Sequence, residues 1–507
     1  MTQVARPRLP PLRGGALAAG TLAVSLATFM NLLDSSIANV SVPAIAGDLA
    51  VSPSQGTWVI TSFAAANAIA LPLTGALAQR LGEVRLFVWS VLLFTGASLL
   101  CALSPTVEFL IGSRILQGLV AGPMIPLSQT LLLASYPRER AGTALAFWSM
   151  TVLLGPVAGP LLGGWITDNV SWRWIFYINL PVGLLAAAVI WMLYRDRDTP
   201  TRRVPIDAVG LALLVVWVAA LQILLDLGHE HDWFGSSLIV ALAIVAAVGF
   251  AAFLVWELTA DHPVIDLSLF AHRNFTVGTL SMAAAYGLFF GNVVLLPLWL
   301  QQHMGYTALL AGLALAPVGL LAMALSPLVG RSLNRIDARA MVMASFAIFA
   351  LVLWLRSGFN VQADLQTILL PTIVQGAGNA LFFVPLVAIT LSGLPQHRFA
   401  AAAGLSNFLR ILAGAFGTSI LTTGWESRAV LHHARLAEAV TATGEAGQAI
   451  GVLRDAGLTE LQSVATIARM VEQQAYMLSA NDMFFMSALL YIALIVTVAF
   501  ARRVTPA

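Results

Sequence analysis

Fourteen apolar stretches follow one another along the chain, each close to the roughly 20 residues with which a helix crosses a hydrocarbon core about 30 Å thick. They lie near 16–41, 56–78, 86–104, 108–134, 142–166, 174–194, 208–228, 236–258, 275–301, 308–330, 340–357, 365–392, 401–424 and 483–501. In lipid a backbone satisfies its polar groups only in helices or closed barrels, and stretches of this length predict an all-α polytopic membrane protein. Composition agrees: 10% of the 507 residues are charged, against roughly 25% in an average soluble domain. A soluble enzyme is excluded.

All 26 basic residues are Arg. A chain without Lys has neither a Walker A phosphate lysine nor a Schiff-base lysine, so uphill work must draw on an ion gradient or a partner ATPase. Cys101 is the single cysteine, which excludes an internal disulfide or thiolate cluster. The His432–His433 pair lacks further ligands in the sequence, and no metal or cofactor is assigned. Arg6, Arg8 and Arg13 precede an apolar run longer than a signal-peptide core, so it reads as an uncleaved first span. Counted over alternate loops, 18 Arg fall on the side of the termini and two, Arg173 and Arg356, on the other. The positive-inside rule then places both termini in the cytoplasm.

Two halves share short patterns at nearly constant offset. Pro72-Leu73-Thr74-Gly75 with Arg80 matches Pro327-Leu328-Val329-Gly330 with Arg335; Ile115-Leu116-Gln117-Gly118 matches Ile373-Val374-Gln375-Gly376; Pro137 with Arg140 matches Pro395 with Arg398. The order predicts two six-helix bundles related by a parallel repeat, 1–195 and 275–507, with two inserted helices in 196–274. That is the layout of a rocking transporter with its site between the halves.

Several motifs carry a family resemblance. Leu33-Asp34-Ser35-Ser36-Ile37-Ala38-Asn39-Val40 resembles the first-helix motif of drug:proton antiporters of the major facilitator superfamily. The run from Gly75 through Arg80, Gly82 and Glu83 to Arg85 resembles that superfamily's loop 2/3 motif, and Arg114-Ile115-Leu116-Gln117-Gly118 its fourth-helix motif. The run Gly155-Pro156, Gly159-Pro160, Gly163-Gly164 resembles the antiporter motif of helix 5. Their order along the whole chain is similar to the fourteen-helix EmrB/QacA branch. The resemblance implies a proton-driven multidrug exporter of the bacterial inner membrane, working by alternating access with an EmrA-type periplasmic adaptor and a TolC-type outer-membrane channel. A nutrient/proton symporter or facilitator on the same fold is the alternative. The second-half loop has Asp337 where the first has Gly82, which implies a less symmetric gate.

Asp34 lies inside the first span, where an ionised carboxylate costs on the order of 3 kcal/mol. Low-dielectric surroundings disfavour the charged form of a carboxylate, which suits proton coupling; a structural hydrogen-bonded Asp is the other reading. Arg114 suits a fixed charge tuning that partner, with packing or snorkelling as its rival. Asn31, Asn39, Gln117, Asn407 and Arg410 are candidates for the substrate cavity, although Arg410 serves equally as a tie between helices. Asp226, followed by His229 and Glu230, reads as a solvated residue at the outer end of its span. Gly155, Gly159 and Gly163 form a stripe that admits a close neighbour, while Arg80, Glu83 and Arg85 either gate the inner mouth or satisfy the positive-inside rule. With two intramembrane guanidiniums against one deep carboxylate, neutral or weakly acidic lipophilic substrates are expected over permanent cations. The segment 425–481 reads as a polar periplasmic loop. Its Leu461, Val464, Ala468, Val471 and Ala475 repeat at helical spacing, a stripe that needs something to bury against.

Overall fold

The structure, a computed structural model, describes residues 12–503 except 138–140, 202–204, 206, 229, 262, 334, 396–397 and 441–444; a few further side chains, those of 141–150 and Pro156 among them, are also left undescribed. The first span is α1 (Gly14–Asp48), and the second bends by 60° between α2 (Pro53–Ala70) and α3 (Thr74–Leu81). Proline at 72 explains the bend, because it removes a backbone donor and clashes with the preceding turn. Next come α4 (Glu83–Ala102), then α5 (Val107–Ala121) and α6 (Met124–Ser135), one span interrupted at Gly122-Pro123. The first half closes with α7 (Ala141–Asn169), the short α8 (Trp174–Tyr177) and α9 (Asn179–Tyr194). The inserted pair is α10 (Ala208–Leu227) and α11 (Ser237–Thr259). The second half holds α12 (Arg273–His303), α13 (Ala308–Ser332), α14 (Ala338–Arg356), α15 (Leu365–Leu391), α16 (Phe399–Ala439), α17 (Glu445–Asp455) and α18 (Glu460–Ala499).

Twelve of these helices or helix pairs are long and apolar enough to cross a membrane, and the bent α2–α3 pair is a thirteenth. With 29 residues α7 is about 44 Å long. Polar groups cap the N-termini of several helices. Ser52 and Thr459 cap α2 and α18 in reciprocal boxes with Gln55 and Gln462, and Asp207 and Asp364 cap α10 and α15.

The helices that position the site are few. In the first half α1 packs on α7 and α9, and α2 on α5; in the second α12 packs on α16, and α13 on α15. The halves meet along two seams, α7 against α13 and α2 against α16, and α10 packs beside the latter. Large apolar side chains such as Val248, Val255 and Leu258 of α11 stay exposed, as a lipid-facing surface requires.

The segment 425–481 is largely helical over its described residues, as the spacing in its second half predicts. Continuing through Trp425, α16 reaches Ala439, and α18 begins at Glu460, so the polar segment is largely a helical hairpin. The Trp425 indole donates to the Tyr476 carbonyl at 3.0 Å, and Arg428 and His432 pair with Asp482. Of the apolar stripe only Ala475 is buried; Leu461 is 81% exposed and Val464 48%.

Candidate functional site

Asp34 sits midway along α1 with no exposure, and donors from two other helices satisfy it. Arg114 Nη1 of α5 donates to Oδ2 at 2.5 Å, while Gln117 Nε2 and Asn179 Nδ2 of α9 donate to Oδ1 at 3.1 and 2.8 Å. A spacing of three puts Arg114 and Gln117 on one face of α5. The guanidinium is held on its other sides too. Nε donates to the Val59 carbonyl of α2 at 2.9 Å, Nη1 reaches Gln117 Oε1 at 2.8 Å, and Phe63 lies with its centroid 4.2 Å away. An ion pair out of water is sustained only when its remaining lone pairs and protons are also matched; here Nε and Nη1 are matched, while Nη2 is buried without a partner among the described residues.

Asn179 is a member of this network that sequence reasoning missed. It also donates to Ser98 of α4 at 3.0 Å, whose hydroxyl donates to the Phe176 carbonyl. The signal was an amide at the head of an apolar run, masked by the neighbouring interfacial aromatics.

Asn31 and Asn39 are both 1% exposed, and Gln117 not at all, so none of the three faces open space in this conformation. The Asn31 amide donates to the Ala121 carbonyl at 3.4 Å, whereas the Asn39 amide has no partner among the described residues. In the second half Asn407 is exposed, and Arg410 Nε donates to it at 3.3 Å. The Arg410 guanidinium lies 4.6 Å from the Tyr286 centroid and 5.9 Å from that of Phe383. Aromatic faces hold a cation without neutralising it.

The glycine stripe forms the seam. A Cβ at Gly155 would stand 2.6 Å from that of Leu32, one at Gly159 would overlap the Ser36 hydroxyl, and one at Gly163 would meet the Ile37 carbonyl at 2.6 Å. Ser36 Oγ donates to the Gly155 carbonyl at 3.0 Å. On its other side α7 meets the second half, with Gly164 against the Ala308 carbonyl and the Pro160 carbonyl against Gly312. Asp168 then accepts from the backbone N–H groups of Ala308 and Leu309 at the start of α13. Pro156 lies on α7, with its side chain outside the described ones.

Of the gating-loop residues, Gly82 has φ +91°, a conformation in which a Cβ is strained, and the Asp198 carboxylate occupies the space a Cβ would take. Asp198 accepts from Val84 N at 2.9 Å and lies 3.5 Å from Arg85 Nε. This clasp ties the loop to the end of its own half, and Asp198 is a second residue the sequence did not single out. Arg80 and Glu83 flank the clasp, while Gly75 on α3 faces open space. In the second half Asp337 caps α14 and pairs with Arg339 at 2.8 Å.

The offset of 258 that pairs Gln117 with Gln375 also pairs Asp34 with Asn292 and Arg114 with Thr372. Asn292 donates to Ser487 at 3.1 Å. Arg356, expected in an outer loop, is instead 1% exposed. The last turn of α14 carries its guanidinium in against α15, where it donates to Gln375 Oε1 at 2.8 Å and Thr372 Oγ1 at 3.1 Å. The second half thus keeps the amide and a cation of the first, with Asn in place of the acid.

The model of the Major Facilitator Superfamily matches residues 24–418. The chain belongs to that superfamily. Among curated major facilitator relatives, the multidrug export protein EmrB of Haemophilus influenzae is 49% identical over 497 residues, 98% of both chains. EmrB of Escherichia coli K12 is 50% identical over 494 residues, 97% of this chain and 96% of its own. The fatty acid resistance protein FarB of Neisseria gonorrhoeae is 48% identical, covering 97% of each. A solved D-xylose-proton symporter matches with a TM-score of 0.59 at 15% identity over 94% of this chain and 97% of its own, a likeness of fold alone. The chain is therefore a multi-span major facilitator transporter with EmrB likeness, as the motifs led us to expect.

Proposed function

We propose that the protein is a proton-driven exporter of hydrophobic, neutral or weakly acidic compounds, cycling by alternating access in the bacterial inner membrane with both termini in the cytoplasm. The observation that carries this reading is the buried Asp34–Arg114 pair, closed by Gln117 and Asn179. A proton arriving at Asp34 neutralises the carboxylate and ends the ion pair. Arg114 keeps Val59 and Gln117, so the element released is α1, and with it the seam that α7 makes between the halves. The units 1–195 and 275–507 then rock against each other, with 196–274 packed beside them. One inward proton at about 150 mV supplies roughly 3.5 kcal/mol, enough for on the order of 300-fold accumulation of a neutral substrate. The test is export by the purified protein in proteoliposomes under an imposed pH gradient. Uptake in the direction of the proton instead of counterflow would identify a symporter.

The geometry moves the substrate-charge argument from Arg114, which is already paired, to Arg410, which rests on aromatic rings. Names of relatives that refer to multidrug export and to fatty acid resistance support such a range. In a competition assay, weak acids are expected to outcompete quaternary ammonium compounds of equal lipophilicity. Arg410→Gln should lower that ratio about tenfold, the loss of roughly one charge-assisted hydrogen bond. An unchanged ratio would leave size and apolarity in control.

The likeness to EmrB supports an EmrA-type adaptor and a TolC-type channel as partners. Leu461 and Val464, exposed on α18, are the apolar surface offered to the adaptor. Replacing Leu461, Val464 and Val471 by Ser should weaken adaptor capture while sparing export by the isolated pump in liposomes. Undiminished capture would place the docking surface elsewhere.

A further inference from the structure

Asp226 was expected in water and is instead set into the second seam. Thr61 of α2, in the first half, donates to its Oδ2 at 3.1 Å. Ser419 of α16, in the second half, donates to Oδ1, and Gln222 of its own helix donates to both oxygens at 3.0 Å. One carboxylate on an inserted helix therefore holds both halves at once. Thr61 and Ser419 are 0% and 1% exposed, and each described donor is neutral. Gln222, 5% exposed, also donates to Ser419 at 2.7 Å, yet its own Oε1 is buried without a donor among the described residues.

A route of hydroxyls and carboxylates leads from this point to the side away from the termini. Exposed Glu230 accepts from Gln55 Nε2 at 3.2 Å and from Ser52 Oγ at 3.5 Å. Ser52 Oγ lies 2.8 Å from Ser54 Oγ, and Ser54 meets the Glu426 carboxylate of α16. From Glu426 to Ser419 is two helical turns, about 10 Å. That stretch of seam carries buried Thr57, Thr422 and Thr423, the last donating to the Leu225 carbonyl at 3.2 Å. Of the ionisable groups in the surroundings, α2 has none; α16 carries Glu426, Arg428, which pairs with Asp482, and Arg410, which lies against Tyr286; the chain after α10 carries Glu230, His231 and Asp232, with His229 outside the described residues; and Glu257 of α11 lies at the opposite end of its helix.

We propose that Asp226 is a second proton-binding carboxylate of the transporter, loaded along the α2–α16 seam by way of Glu230 and Glu426, and that its protonation loosens that seam. The proposal rests on the proton-driven reading above. In the step, a hydronium from the far side gives up its proton, an O–H bond forms on Asp226, and water is released. Thr61 and Ser419 then lose an ionised acceptor, and hydrogen bonds to an ionised group are about twice as strong as neutral ones. The new O–H finds its acceptor in Gln222 Oε1 once the amide turns over, which accounts for an otherwise orphaned atom.

Spin labels on Val51→Cys and Val430→Cys, in the full chain with Cys101→Ala and in lipid nanodiscs, report the outer opening of the seam. Between about pH 8 and pH 5 the parent protein should shift to longer label distances. Asp226→Asn should abolish the shift and Asp226→Glu, which keeps the carboxyl, should retain it. After a pH jump Glu426→Gln should slow opening about tenfold or more without moving its end point. No shift in the parent, or a full shift in Asp226→Asn, overturns the proposal. An unslowed Glu426→Gln overturns the route. Asp34→Asn keeps the two ideas apart: it should lose transport yet retain the shift, so transport surviving in that variant strikes the export reading, and persistence of the shift in Asp226→Asn strikes this one alone.

Discussion

Asp34→Asn is expected to abolish gradient-driven export, by a factor of about 100 or more, since proton transfer by a positioned group contributes about 100- to 10,000-fold. The amide matches the carboxylate in volume and cannot bind and release a proton. It also leaves the Arg114 guanidinium, fully buried, without its counter-charge, and breaking a buried pair costs about 3–5 kcal/mol. Loss of transport must therefore be read on protein shown to be folded, by gel filtration and a thermal melt. The double variant Asp34→Asn with Arg114→Gln removes both charges; it should recover much of the stability and none of the export. If the single variant, folded, still exports under a pH gradient, proton coupling resides elsewhere.

Gly159→Leu is expected to be nearly as severe, with a different signature. A side chain at 159 would occupy the space of the Ser36 hydroxyl, and the α1 backbone lies 3.0 Å from the new Cβ. Overpacking a tight site costs about 1–3 kcal/mol when neighbours can shift, and here the neighbour is the helix that carries Asp34. Export should fall about tenfold to 100-fold while proton leak rises, because a splayed α1–α7 seam no longer excludes water. Gly96→Leu, at a glycine of α4 where an added Cβ would meet nothing within 4 Å, is the control for helix propensity. Measuring proton flux in drug-free liposomes decides between them: a leak-tight Gly159→Leu pump would mean that the seam does not seal the bundle.

The all-helical, many-span fold was legible because the cost of unsatisfied backbone in lipid leaves so few solutions. Asp34, Arg114 and Gln117 were legible because charged and polar groups within apolar runs are expensive. Asn179 and Asp198 were not, since a neutral amide at a helix start and an acid in a loop are cheap and ordinary; only the partners they meet in space mark them. Arg356 and Asp226 were misplaced for one shared reason. Near the end of a span, sequence distance from water is short, so a charge is read as solvated, but both side chains are carried inward by their own helices to polar partners on others. In the hairpin at 425–481 the second helix was legible from the 3- and 4-residue steps of its apolar side chains, whereas the run of α16 past Trp425 was not, because polar composition excludes a span without excluding a helix.

That hairpin has a mechanical consequence. The 41-residue α16 is continuous from Phe399, through Arg410 and Ser419, to Ala439, a rod of about 60 Å. Its inner part lies in the α2 seam, and its outer part stands clear of the apolar core, braced by α18. A rod held in the seam amplifies rotation: a tilt of about 10° there carries the tip, about 30 Å beyond Ser419, on the order of 5 Å. Rocking of the halves would thus be largest where Leu461 and Val464 are displayed, and any protein gripping that tip would be pulled through the stroke of the pump with every turnover.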